Sequence, residues 1–143
     1  MGTNVSRAVK RVAKVTGVAE TPVPGTPVRG SRTGRPIMAA LDLLGRRWAL
    51  RILWELLARP AGFRELQARC GDISASVLST RLQELGQAAV VATDSEGKWL
   101  LTELGKDLVD ALSGLQAWSA KWATRLERGR LRASKPTTSF RSR

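Results

Sequence analysis

No histidine occurs anywhere in the chain. That removes His-based general acid–base catalysis, the usual hydrolytic triads and most zinc sites. Cys70 stands alone, so no intrachain disulfide can form. One thiolate cannot by itself hold structural zinc or an iron–sulfur cluster, and a reducing cytoplasm is the expected compartment. No apolar run approaches the ~18 residues of a membrane span. The basic N-terminus has no apolar segment behind it, so no secretory signal is read. No Gly-rich strand-to-helix phosphate loop occurs either. The stretch from Gly25 to Gly34 is interrupted by Pro27 and has no strand before it. Paired carboxylates remain open in principle, but no local spacing points to them. The expectation is a non-enzyme without cofactor or metal.

What is present is positive charge, placed at the two ends. The 143 residues carry a net charge of +12. Residues 1–35 hold seven Lys/Arg against Glu20, and residues 125–143 hold seven against Glu127. The stretch 36–124 has ten basic and ten acidic residues and is neutral. Such ends bind polyanions without reading sequence, or merely keep the chain soluble. Residues 1–35 read as a flexible basic arm. Its first half is a candidate short basic helix, and prolines and glycines exclude regular structure in the second. Residues 127–143 read as a disordered basic tail. A single domain is expected over 36–126.

Within that domain the apolar spacing predicts mostly helix with one small hairpin. Pro36 opens a helix with a stripe of Ile37, Ala40, Leu41 and Leu44, ending at Gly45. A second helix runs from about Arg47 to Ala58, with Trp48, Ile52, Leu53, Leu56 and Leu57 facing a core; Trp48 and Trp54 both read as core. Phe63 to Cys70 makes a short helix with Phe63 and Leu66 inward. Gly71, Asp72 and Ile73 turn the chain. Ser74 then caps a helix to about Leu85. Its dry side carries Val77, Leu78, Leu82 and Leu85, and its wet side Ala75, Ser76, Ser79, Thr80 and Gln83. Two β-favouring runs, Ala89–Thr93 and Lys98–Leu101, flank a turn at Asp94–Gly97. Thr102 caps a single long helix to about Leu126, striped by Leu104, Leu108, Leu112, Leu115, Trp118 and Trp122. Helix, turn, helix and hairpin in this order make a winged helix-turn-helix.

The order and wording of these segments resemble the HxlR-type family of transcriptional regulators of bacteria and archaea. The resemblance covers about residues 36–124. It is carried by PIMAALDLLGRRWALRILWEL from Pro36, GFRELQ from Gly62, ISASVLSTRLQEL from Ile73 and LTELGKDL from Leu101. It implies a winged-helix fold, a homodimer built from N- and C-terminal helices, and operator DNA as partner. Many members begin the first helix with Cys-Pro, a cysteine that in some senses electrophiles or oxidants. Here Arg35-Pro36 stands there, so redox sensing is not expected. Short Ala75 and Ser76 and a short hairpin also depart from the usual pattern.

The chain therefore reads as a regulator of double-stranded DNA, cytoplasmic and nucleoid-associated, with no membrane partner. A nucleoid-like protein binding DNA non-specifically through its basic ends is the alternative. Ser76, Ser79, Thr80 and Gln83 are candidate groove contacts, with Ala75 a candidate for a thymine methyl. Their place in the motif favours DNA over an ordinary solvated face. Ser74 belongs to the same surface as the cap. Arg81 either binds a phosphate or pairs with Glu84. Lys98 at the wing and Arg64 at the start of its helix are phosphate candidates, Lys98 balanced against a plain hairpin residue. Arg46 and Arg47 read as surface. Ile37, Leu41, Leu112, Leu115, Trp118 and Trp122 are candidate dimerisation residues. A packed interface is favoured over a ligand pocket for the two tryptophans. Cys70 reads as a buried small hydrophobe rather than a switch.

Overall fold

A computed structural model of the chain describes residues 21–134. The candidate basic helix near the N-terminus and the last nine residues of the tail lie outside them. The described chain forms two compact units, one ending at Lys106 and one beginning at Asp107.

The first unit begins with an irregular but hydrogen-bonded segment. Its peptide N–H at Gly25 donates to the Gly34 carbonyl at 2.9 Å, and Val28 and Ser31 bridge each other. Arg29 N–H donates to Asp42, and Thr21 donates to Gln87. The second half of the expected arm is thus tied to helical residues by local polar contacts, although it has no regular structure. Helix α1, Pro36–Gly45, starts as Pro36 suggests and buries Ala39 and Leu43. Ile37 and Leu41 point outward. Apolar residues surround this helix, so their spacing alone does not select its inner face.

Helix α2, Ala49–Ala58, starts later than expected because Trp48 is left-handed, at φ 77°. It buries Ala49, Ile52, Leu53 and Leu56 and packs against α1. Leu50, Trp54 and Leu57 lie on the opposite side and are exposed; Trp54 is 53% accessible. The expectation of core positions for Trp54 and Leu57 is therefore corrected, and Trp48 is only half-buried. The apolar surface of α2 is wider than the surface its neighbours cover.

Helix α3, Phe63–Cys70, has the expected bounds and buries Leu66 and Cys70, with Phe63 half-buried. Arg69 holds its approach, donating to the carbonyls of Glu55 and Arg59 at the end of α2. The turn that follows uses Gly71 at φ 86°, a region where a side chain is strained. Gln67 donates to the Ile73 carbonyl across that turn, and Ile73 is buried. Helix α4, Ala75–Gln87, is capped as the sequence suggests: Ser74 Oγ accepts from Val77 N–H at 3.3 Å. It runs two residues beyond Leu85.

Strands β1, Val91–Thr93, and β2, Trp99–Leu101, pair antiparallel with Val91 opposite Leu101. Asp94 closes their loop by accepting from the N–H groups of Glu96 and Lys98, with Gly97 at φ 77°. Ala61 adds a third edge, exchanging both backbone hydrogen bonds with Trp99 at 3.0 and 2.8 Å. The hairpin is thereby registered to the residues just ahead of α3. This is a winged helix-turn-helix: mainly helical with one small hairpin.

The expected single helix from Thr102 to Leu126 is two. Helix α5 spans Glu103–Ala111 and helix α6 spans Ser113–Ala133. Thr102 still caps the start, accepting from Gly105 N–H at 3.0 Å. At Leu112 the backbone flattens to ψ −4°, and its N–H is shared between the Leu108 and Val109 carbonyls. Ser113-Gly114 follows, a pair of weak helix formers. The leucine spacing continues through the break and conceals it. Helix α6 also runs through the start of the expected disordered tail. Leu126, Arg128, Arg130, Leu131, Arg132 and Ala133 favour helix, and Arg130 and Arg132 in the last turn suit its negative end.

Candidate nucleic-acid interface

Helix α4 divides into two faces. Leu78, Leu82 and Leu85 are fully buried, while Ala75, Ser76, Ser79 and Gln83 are exposed. Thr80 is half-buried at the edge, and its hydroxyl donates to the Ser76 carbonyl at 3.0 Å. Ser74 and Ser76 hydroxyls lie 3.3 Å apart. Ser79 and Gln83 make no side-chain hydrogen bond among the described residues, so their polar groups face solvent.

Arg81 pairs with Glu84, one of its two expected roles. Its Nη1 reaches both Glu84 oxygens at 3.1 Å, and its Nε donates to the Arg47 carbonyl at 2.8 Å. Glu84, 4% accessible, also accepts from Arg46 at 2.7 Å. Arg46 in turn lies 3.8 Å from Asp42 on α1. Arg46 is thus a half-buried structural residue rather than a surface one. The network clamps α4 to the α1–α2 junction. Sequence spacing exposes the Arg81–Glu84 pair, three residues apart, but not the Arg46–Glu84 pair, separated by 38 positions. Arg47 is exposed, its guanidinium 5.4 Å from the Trp48 ring centre.

Arg64, second in α3, is exposed and makes no hydrogen bond among the described residues. Lys98 is exposed at the end of the hairpin loop, 3.7 Å from Glu96. The structure therefore collects Ser74, Ala75, Ser76, Ser79, Thr80 and Gln83 on one helix, and sets Arg64 and Lys98 on α3 and the wing.

Of the dimerisation candidates, Ile37, Leu41, Leu115, Trp118 and Trp122 are exposed and Leu112 is half-buried. The Trp118 and Trp122 rings stack on α6 with centres 5.4 Å apart. Cys70 is buried at the end of α3. Burial pushes its thiol pKa up, the Glu55 carboxylate pushes it further, and Arg51 and Arg69 pull it partly back.

The HxlR-like helix-turn-helix family matches residues 43–127. The chain belongs to this family. It is a transcriptional regulator carrying a helix-turn-helix DNA-binding domain, as its relatives are. It is 34% identical over 89 residues to YvaP of Bacillus subtilis, an uncharacterised HTH-type transcriptional regulator, covering 58% of this chain and 82% of that one. YodB, another HTH-type regulator of Bacillus subtilis, is 33% identical over 87 residues, 57% of this chain and 78% of YodB. The solved quinone-bound form of YodB superposes with a TM-score of 0.56 at 33% identity, over 59% of this chain and 94% of the chain in that structure. A protein from Enterococcus faecalis V583, described as a transcriptional regulator of the MarR family, superposes with a TM-score of 0.60. It is 27% identical, over 71% of this chain and 97% of that one.

Proposed function

We propose that this regulator works as a homodimer that reads a specific duplex site, with α4 in the major groove and the β1–β2 hairpin against the flanking backbone. One observation carries the reading. The outward row Ala75, Ser76, Ser79 and Gln83 stands on a helix whose other side is anchored by three buried leucines and a buried glutamate. A rigid helix with short polar groups can lie close to base edges, and close approach is what direct reading needs. Gln83 suits the paired donor and acceptor of adenine, and Ala75 suits a thymine methyl. Ser74, Ser76, Ser79 and Thr80 offer hydroxyls to bases or phosphates. Arg64 and Lys98 neutralise backbone phosphates on either side. Arg81 serves as a positioning residue, holding α4 through Glu84. Self-association uses Ile37 and Leu41 of α1 and Leu112, Leu115, Trp118 and Trp122 toward the C-terminus. A protein that works on chromosomal DNA resides in the cytoplasm, at the nucleoid.

The test begins by selecting bound sites from a random duplex pool. Competition binding then compares the selected site with a scrambled one at several salt concentrations. Replacing Ser79, Thr80 and Gln83 together by alanine should reduce the preference for the selected site, by about 1–3 kcal/mol for each base pair no longer read. Affinity for the scrambled site and its salt slope should change little. If the triple variant keeps the full preference, α4 is not the reading element. If the unmodified protein shows no preference at all, binding is of the nucleoid type.

A further inference from the structure

A cleft of about 320 Å³ opens between the α1–α2 junction and α4. Arg29, Arg46, Arg47 and Arg81 line it together with Thr80 and Glu84. Four arginines therefore share this lining with one carboxylate, and the guanidinium groups of Arg46 and Arg81 touch it. Asp42 lies behind them, close to Arg46 and holding the Arg29 N–H, and adds a second negative charge. Among the described residues, two positive charges remain in excess within a polar, concave site. Such an arrangement concentrates field and draws anions.

The lining is already built. Glu84 holds Arg46 and Arg81 in fixed positions, and the Arg47 carbonyl is fixed by Arg81 Nε. Arg29 is anchored through its backbone on Asp42. Arg29 and Arg47 are both exposed residues in this lining. An anion binding there finds Arg46 and Arg81 already ordered, which favours affinity. Guanidinium forks match the spacing of phosphate oxygens. The volume lies at the lower end of ordinary ligand sites and suits a phosphate with its attached ester group.

We propose that this cleft binds the oxyanion of a phosphate ester. Two sources supply that chemistry: a backbone phosphate of DNA lying beside α4, or a free phosphorylated small molecule. The first source rests on the reading of α4 as the recognition helix; the second does not. Arg29→Gln with Arg47→Gln removes two cleft cations and leaves the Glu84 network and the Arg47 carbonyl in place. Arg51→Gln with Lys106→Gln removes two exposed cations outside the cleft and serves as the control.

The full-length protein, ¹⁵N-labelled, is titrated with inorganic phosphate at constant ionic strength, and the arginine Nε–H signals are followed. Saturable shifts of Arg47 and Arg81 are expected in the parent. Removing two charge-assisted partners should weaken that binding at least tenfold, as an order of magnitude, in the cleft variant alone. In parallel, the dependence of duplex affinity on salt is measured for all three proteins. A slope reduced by about 0.9 for each phosphate no longer neutralised in the cleft variant, and not in the control, assigns the site to the DNA backbone. Saturable phosphate binding with an unchanged slope assigns it to a free phosphate ester. Absence of saturable shifts, together with equal slopes in the two variants, overturns the proposal. If the protein binds no duplex, the reading of α4 fails by itself, and the phosphate titration still decides the cleft.

Discussion

Gly105 and Cys70 show how single atoms constrain this domain. A methyl group at Gly105 would run into the Val90 carbonyl, an oxygen that also accepts from Thr102 N–H at 3.2 Å. Neither backbone can retreat cheaply, because Thr102 also donates to the Ala89 carbonyl at 2.6 Å. Gly105→Ala should destabilise the protein by about 1–3 kcal/mol, as overpacking does. Thermal unfolding reads this as a lowered midpoint, and an unchanged midpoint would mean that the two backbones part without cost. Cys70 is constrained electrically. Its thiol pKa is raised in the fold, chiefly by burial, so the folded state favours the neutral thiol. The stability this contributes is complete below the unfolded thiol's pKa and is lost as pH rises through the folded one. Relative to Cys70→Ala, the parent should therefore lose stability on going from neutral to strongly alkaline solution. Urea unfolding of both proteins across that range checks the sign. A buried neutral thiol is also a poor nucleophile. Cys70→Ser should bind DNA as the parent does, with or without mild oxidant; oxidant-dependent release in the parent alone would assign Cys70 a role.

At the scale of elements, the placement of α4 depends on one buried carboxylate. Glu84→Gln keeps the shape but removes the charge that Arg46 and Arg81 share, leaving cations near α4 under-compensated. Breaking a buried ion pair from one side costs about 3–5 kcal/mol; the 20% exposure of the Arg81 side chain argues for the lower end. Denaturant unfolding should show that loss, and amide exchange should show it concentrated in α4. Uniform protection across α4 would make the clamp dispensable. The elements themselves differ in how far the sequence discloses them. The α3–turn–α4 unit and the hairpin were legible because local chemistry settles each: Gly71 for the turn, Ser74 for the cap, Asp94 and Gly97 for the loop. The wet row of α4 was legible for the same reason, since helical period separates it from Leu78, Leu82 and Leu85. The break at Leu112 was not, because Leu108, Leu112 and Leu115 keep the period across it. The left-handed Trp48 was not, because nothing in GRRWA requires a turn residue there. The Arg46–Glu84 pair is a product of tertiary packing that no local spacing reports. The inner faces of α1 and α2 were ambiguous because each carries more apolar residues than it buries.

For the whole molecule, that apolar surplus and the charge distribution bear on one question, the number of chains. The neutral stretch 36–124 has no net charge with which to repel a second copy. Leu115, Trp118, Trp122 and Leu126 recur at three- and four-residue spacing along α6, and each is about half exposed. From Leu115 to Leu126 the stripe rises about 16 Å, three turns of apolar surface facing water in the single chain. Ile37 and Leu41 add a second exposed pair on α1, at 61% and 58% accessibility. Contiguous exposed apolar surface of this kind is a mark of an interface. A second copy of the same chain is the simplest cover, since an isologous contact buries the same stripe on both partners at once. The protein should therefore sediment as a dimer at micromolar concentration, and its unfolding midpoint should rise with protein concentration, because dimerisation stabilises by mass action. Leu115→Glu with Trp118→Glu should give a monomer whose midpoint no longer depends on concentration. Both side chains are exposed in the single chain, so helical content should survive the change; circular dichroism separates that outcome from simple unfolding. On DNA, the monomeric variant should lose affinity far more steeply for a site with two half-sites than for an isolated half-site, since linking two modules multiplies their affinities. A parent chain that sediments as a monomer, with a concentration-independent midpoint, would leave the stripe on α6 to some other partner.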